Sequence, residues 1–567
     1  MLDPDAERRR ARPSPSMFIK PIPPKYDPLE WAKKPFAEKS SMVCNSWAMQ
    51  GYGTPLGVYF VYVIKIVFYV YGWFFFCRFT PGFGQLDNIA TWWLEPASFR
   101  KAILWSMLFE ILGLGCGSGP LTGRYVPPIG GFLYFLRPGT TKLPVFSGAP
   151  LIGGIRRSWL DVLLYAALIG FTITALTSAH PTFTQLLPIA ILLPVLGILD
   201  KTLFLAARGE HYWTTIMVFV LAAGTAVGFI PGAKAIHAAL WFWAGFSKLN
   251  HHFPSVVGVM TSNSPVTRFA FIRRLMYRDF PRDLTPSGAA VVMGHAGTIL
   301  EMAVPIVLLC GRGGTVTVIG LLLMLALHGF ITSNVPMGVP LEWNVMMVYG
   351  GFFLFWKHAD VGLDQMTLPV ALVVALMAVA LPILGNLYPG RIPFLLAMRY
   401  YAGNWAYSVW LFKGDSHKKL EKLTKSSPWI HDQLGRLYTK SQSVGIVGKV
   451  MAFRLMHLHG RVLEHAIPKA CEDCFGEYEW IDGEIIAGMV LGWNFGDGHL
   501  HREQLLDAVQ QQCRFESGEL RCVMVESQPL GRSTLHFRIL DAKNGLLEEG
   551  HADVRELRAR HPWGANA

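Results

Sequence analysis

A lysine and two histidines close the stretch Trp241-Phe242-Trp243-Ala244-Gly245-Phe246-Ser247-Lys248-Leu249-Asn250-His251-His252. The spacing i, i+3, i+4 puts Lys248, His251 and His252 on one face of a helix that runs through them. An ammonium at the end of an apolar helix is costly to bury, so ionisable groups at membrane depth are candidates for function. A lysine in a dry pocket holds its proton less firmly, because desolvation disfavours the charged form. It can then act as a base near neutral pH, with a histidine to relay the proton. Two other uses compete. Proton-coupled carriers line a path with the same groups, and a lysine can simply snorkel to the headgroups.

Composition says what surrounds such residues. The chain is 52% hydrophobic and only 16% charged, against about 25% charged in soluble domains. It therefore reads as a polytopic membrane protein. The head does not read as a signal peptide, because Arg8, Arg9, Arg10 and Arg12 lead into Pro13, Pro15, Pro21, Pro23 and Pro24 rather than an apolar core. A net charge of +12 would suit nucleic acid, but the basic residues flank apolar segments. That placement points to membrane lipids as partners and not to nucleic acid. Eight scattered cysteines give no secreted disulfide framework.

Residues 1–53 read as a basic, proline-rich lead-in. Apolar segments of spanning length, roughly 17–25 residues, follow near 55–76, 100–116, 159–177, 183–200, 213–230, 233–249, 288–310, 315–333, 342–357 and 367–385. The fold class predicted is an all-α membrane bundle of about ten transmembrane helices over residues 54–412, followed by a small α+β domain over 413–567. Loops after the even-numbered segments are rich in basic residues: Arg124, Arg137, Lys142, Arg156 and Arg157, then Lys201 and Arg208, then Arg268, Arg273, Arg274, Arg278 and Arg282. The opposite loops carry isolated charges such as Arg78, Lys234 and Arg312. This asymmetry places both termini and the C-terminal domain in the cytoplasm. Segment 117–158 is apolar but broken by Gly and Pro, as in a re-entrant or interfacial stretch. The alternation from Phe269 to Asp279 predicts an amphipathic interfacial helix. In the tail, strands are expected near 520–527, 533–540 and 547–555, with Asn544-Gly545 as a turn.

With that topology, polar residues gather in one leaflet. Lys248 ends the sixth segment there and His211 opens the fifth. His295 lies about two turns into the seventh, roughly 12 Å deep. His328 and Glu110 occupy the same half. A cytoplasm-facing pocket lined by these groups is the expectation. Lys65, near mid-membrane, is expected to pair with Glu110, since a lone charge there is unfavourable. Glu301 follows His295 by about 120° around the helix and is expected to bond a neighbouring helix instead.

Four blocks carry a resemblance. Asp200-Lys201-Thr202 through His211, Ala244-Gly245-Phe246-Ser247-Lys248-Leu249, Gly294-His295-Ala296-Gly297-Thr298-Ile299-Leu300-Glu301 and Leu327-His328-Gly329-Phe330-Ile331-Thr332-Ser333-Asn334 resemble, in order and approximate spacing, the core of vitamin K-dependent γ-carboxylase and its bacterial HTTM relatives. The whole chain resembles a family of bacterial transmembrane proteins without assigned activity. The resemblance implies Lys248 as the base that deprotonates a hydroquinone, His211 in the same centre and a reduced quinone as cofactor. It also implies a bacterial inner membrane. Ser247 stands where the family has a second lysine and Asn250 where it has an acid. A changed, quinone-like or lipidic substrate is therefore expected rather than carboxylation. The alternative is a lipid or small-molecule carrier without chemistry, and a third reading is an anchor whose tail recruits a partner.

The tail offers one further candidate. Asp497, His499 and His501 could form a Gly-flexed loop covering the membrane site. The Cys471/Cys474 pair and the His457/His459 and His499/His501 pairs are metal-ligand types, but their spacings match no familiar zinc module, so no metal is assigned.

Overall fold

Helices form over every apolar segment the sequence picked out. The computed structural model describes residues 18–115, 120–126, 132–150, 152–225, 227–335, 341–400, 403–494 and 502–563. In chain order the main helices are α1 (Phe36–Gln50), α2 (Leu56–Cys77), α3 (Pro96–Ile111), α4 (Trp159–Thr177), α5 (Phe183–Leu199), α6 (Thr214–Leu221), α7 (Ile230–Phe246), α8 (Phe253–Asn263), α9 (Gly288–Cys310), α10 (Thr315–Thr332), α11 (Leu341–Gly351) and α12 (Leu368–Leu387). Their starts are fixed by local chemistry. Ser158 and Asp161 form a capping box at α4, Thr182 and Gln185 another at α5, and the Ser287 hydroxyl accepts from Ala290 N–H at α9.

Among the described residues five helices, α2, α4, α9, α10 and α12, are long and apolar enough to cross a membrane, and α5 is a shorter apolar helix. Of the roughly ten spans expected, five among the described residues reach spanning length. The shortfall has a structural cause. α6 begins only after a π-helical turn at Gly209–Trp213, and α11 passes into another at Phe352–Lys357. α3 is buried along nearly its whole length, so it faces protein rather than lipid.

The tail is built on a five-stranded antiparallel sheet. After β1 (Tyr277–Asp279) and β2 (Asp283–Pro286), which pair as a small hairpin, come β3 (Tyr407–Lys413), β4 (Tyr478–Asp482), β5 (Leu520–Val525), β6 (Thr534–Asp541) and β7 (Gly545–Asp553). The sheet order is β4-β3-β5-β6-β7. β5, β6 and β7 match the three predicted strands. β3 is an interior strand between β4 and β5, buried along all but its last residue. Helices α13 (Lys440–Met456), α14 (Gly483–Leu491) and α15 (Gln504–Cys513) cover it. Arg454 of α13 grips Asp482 through two bonds of 2.5 and 2.9 Å.

Two large cores form among the described residues, beside a small cluster of Phe74, Cys77 and Trp92. One holds α2 to α7 with α9 to α12. The other joins the tail to α1, α8 and the β1–β2 hairpin. Buried residues between 31 and 48 belong to the core that holds the tail. Trp31 and Trp47 are buried, and Trp47 Nε1 donates to the Val259 carbonyl at 3.1 Å. Apolar surface on α1 is covered by docking on the tail and on α8. The predicted amphipathic helix over 269–279 is also corrected. Only Ala270–Leu275 is helical, and the rest turns into β1. Its exposed Phe269, Phe271 and Leu275 keep the interfacial character.

Candidate functional site

α7 ends at Phe246, so Lys248 lies on the turn beyond it and its amide N–H donates to the Gly245 carbonyl at 3.0 Å. Lys248, His251 and His252 therefore do not share one helical face. Gly245 explains how Lys248 reaches its partner. A Cβ there would sit 2.6 Å from Met302 Cγ and 3.0 Å from Met302 N, so only glycine lets α7 approach α9 this closely. That approach brings the Lys248 ammonium against the Glu301 carboxylate as an ion pair, both side chains nearly buried. The ammonium also lies 4.8 Å from the Phe253 ring centroid. Glu301 thus bonds a neighbouring element, as its angular position predicted.

The pair forms the polar edge of a cavity of about 170 Å³ between α7, α8, α9, α10 and α11. Most of its wall is apolar, including Trp241, Val256, Met260, Leu327, Ile331 and Met347. His328 lines it too, and its ring is fully engaged. Trp241 Nε1 donates to Nε2 at 2.9 Å, and Nδ1 lies 2.7 Å from Asn344 Oδ1. An indole N–H can only donate, so Nε2 must accept and Nδ1 must carry the hydrogen that Asn344 receives. His328 is a neutral imidazole fixed as the Nδ1–H tautomer. It orients the wall, and it has no free nitrogen for a proton.

His211 is not in this cavity. It sits in the π-helical turn Gly209–Trp213, stacked 6.2 Å from the Trp343 ring, and Trp343 itself lines the cavity. The indole therefore separates His211 from Lys248. The surrounding cluster is buried and polar. Arg208 lies 4.4 Å over Trp343, and Tyr400 donates to Glu210 at 2.5 Å. His211 Nδ1 has no hydrogen-bond partner among the described residues.

Three other expectations are corrected by helix placement. His295 points outward from α9 and is exposed, because Gly294 and Thr298 take the buried face. Lys65 pairs with Glu342 of α11 at 2.8 Å rather than with Glu110, and its Nζ also donates to the Gly115 carbonyl. Glu110 is buried beside Gly115, away from the Lys248 cavity. The reason is common to all three. Sequence gives the depth of a residue but not which helices are neighbours.

Trp241, Asn344 and Trp343 escaped the sequence reading. A signal existed for two of them. Trp241 precedes Lys248 by seven residues, which is one helical face, and Asn344 is an amide inside an apolar segment.

At the tail, three histidines meet where α8 docks. His252 and His459 rings lie 5.7 Å apart, and His457 Nδ1 bonds the Phe453 carbonyl at 2.5 Å. Burial, then neighbouring charge, holds His252 well below the usual imidazole value. His457 is pushed down to about 4 and His459 to about 3, again chiefly by burial. Both nitrogens of His252 lack hydrogen-bond partners among the described residues. Cys471 is buried, Cys474 exposed, and both are free. Among the described residues no three His, Cys, Asp or Glu side chains are set to hold a metal ion. Asp497, His499 and His501 lie outside the described residues.

No curated protein and no solved structure matches the chain. The likeness to γ-carboxylase therefore rests on the four sequence blocks alone. A family profile described as transmembrane protein of unknown function (DUF3556) matches residues 17–567.

Proposed function

Because the chain belongs to the DUF3556 family of transmembrane proteins of unknown function, its activity must be read from the Lys248 cavity, and we propose that this cavity binds a lipidic or quinone-like molecule. One observation carries the reading: an apolar chamber with the ion pair Lys248–Glu301 at its edge, the only one lining it among the described residues. Apolar pockets with a few convergent polar groups are the usual form of a small-molecule site. The walls suit a ring or chain, and the pair suits a hydroxyl, carbonyl or acidic head. Binding without chemistry is favoured over base catalysis, because Lys248 is already engaged by Glu301 and His328 has both nitrogens committed.

Acid–base chemistry of the carboxylase kind is the second reading, with Lys248 as base, His211 assisting and a reduced quinone as cofactor. The feature in its favour is the unpartnered His211 Nδ1 behind Trp343. It requires Trp343 to swing aside. Ten crossings, with both ends on the cytoplasmic side of a bacterial inner membrane, complete the proposal. The basic residues after the even-numbered segments support it.

The full chain, purified in mild detergent, should retain an apolar compound detectable by native mass spectrometry and by solvent extraction. Met260→Trp, which fills the chamber, should remove it while the protein still melts cooperatively. Equal retention by that variant would overturn the assignment. A product differing in mass from the retained compound would favour the catalytic reading instead.

A further inference from the structure

A second cavity, of about 680 Å³, opens where the last turn of α5 meets Lys201–Ala206, residues 391–396 and the tail. Lys201, Arg391 and Arg502 all line it, and among the described residues no carboxylate does. Among the described residues none of these three cations is held in an ion pair. Of the nearby acids, Asp200 binds Arg157 at 2.7 Å, whereas the Glu526 carboxylate, which accepts from Ser527 N–H at 2.9 Å, lies within electrostatic reach of Arg502 and Arg399 and offsets part of the positive charge. Lys201 is pushed down to about 8, by burial first and by the charge of Arg502 second, with Asp200 acting in the opposite direction. Three like charges around one cavity repel each other, and an anion between them removes that cost.

The remaining wall is apolar and continues outside. Pro194, Gly197, Ile198 and Val145 line the cavity. The Val145 N–H donates to the Ile198 carbonyl at 3.0 Å and closes the rim. Above it, Ile191, Val195 and Ile198 are exposed on α5, and their i, i+4, i+7 spacing makes them one stripe.

We propose that this cavity holds the headgroup of an anionic phospholipid, its phosphate among Lys201, Arg391 and Arg502 and its acyl chains along the Ile191–Val195–Ile198 stripe. Guanidinium groups match phosphate oxygens as forked donors, and an ammonium serves as a point charge. Basic pockets between helices near a membrane face are suited to such heads. Free phosphate offers the same oxygens but leaves the apolar stripe uncovered, so the lipid is the occupant that uses both features. The site is separate from the Lys248 cavity and does not depend on what that cavity binds.

The test uses the full chain in detergent, with phosphatidylglycerol and phosphatidylcholine of identical chains as competing probes in native mass spectrometry. Phosphatidylglycerol should bind about tenfold more tightly or better, as several cation contacts to an anionic lipid would give. Arg391 and Arg502 are exposed, so Arg391→Gln/Arg502→Gln should fold normally and lose that preference. Excess inorganic phosphate should fail to displace the lipid. Equal binding of the two lipids, a preference that survives the double substitution with an unchanged melting temperature, or full displacement by phosphate would each overturn the proposal.

Discussion

At the scale of single residues, the Lys248–Glu301 pair decides what the cavity can do. Both side chains are about nine-tenths buried. Removing one partner of a buried pair leaves the other charge uncompensated, which typically costs about 3–5 kcal/mol. Glu301→Gln should therefore destabilise the protein strongly. Lys248→Met/Glu301→Leu, which removes both charges, should restore much of the loss. Melting curves in detergent for the two singles and the double measure the coupling. Additive losses would show that the two groups do not act as a pair. The sequence exposed Lys248 as costly, since an ammonium stands out in an apolar run. It did not reveal the partner, and it misassigned Lys65 for the same reason. Glu110 and Glu342 are both acids at compatible depth, and only the arrangement of α2, α3 and α11 picks Glu342 for the ion pair at 2.8 Å.

Elements show where pattern reading works and where it stops. Asn544-Gly545 announced the β6–β7 hairpin because a tight turn needs the left-handed backbone that glycine adopts at φ +80°. β3 was hidden. Tyr407 to Phe412 is a short apolar run broken only by Ser408, and such a run fits a buried interior strand or a buried helix segment equally well. The junction of α8 with the tail carries a pH dependence that follows from its three buried histidines. An unfolded histidine titrates near pH 6.5, whereas His457 and His459 are pushed to about 4 and about 3 in the fold. Between those values the unfolded chain binds more protons than the folded one. The stability these histidines contribute therefore falls as pH drops from about 6.5 towards 4 and is constant above 7. Melting temperature should drop between pH 7 and 4.5, and His457→Gln/His459→Gln should narrow that drop. An unchanged gap would place the acid sensitivity elsewhere.

On the scale of the whole molecule, the chain closes on itself: its first helices cover the last domain. Trp47 is fully buried, 5.8 Å from the Phe453 ring of α13, and Gly448 lies against Trp31. Trp47→Ala should cost about 3–5 kcal/mol, the range for emptying a buried aromatic site, and limited proteolysis should then release the tail sooner. Lys449 adds a second reporter of the same contact. It is buried under residues 22–53, its Nζ lies 3.4 Å from the Ile22 carbonyl, and burial pushes it down to about 7. An unfolded lysine titrates near 10.4, so between about pH 7 and 10 the unfolded state again holds the extra proton. This contact should tighten as pH rises through that window. Lys449→Met should abolish the slope, and it should also protect the tail from protease at pH 7. A tail cleaved at the same rate with or without residues 18–53, at every pH in that range, would show that α1 is a passenger rather than part of the core. Protection that depends on those residues would make residues 18–53, the tail and the docking helix α8 one folding unit clamped onto the membrane bundle.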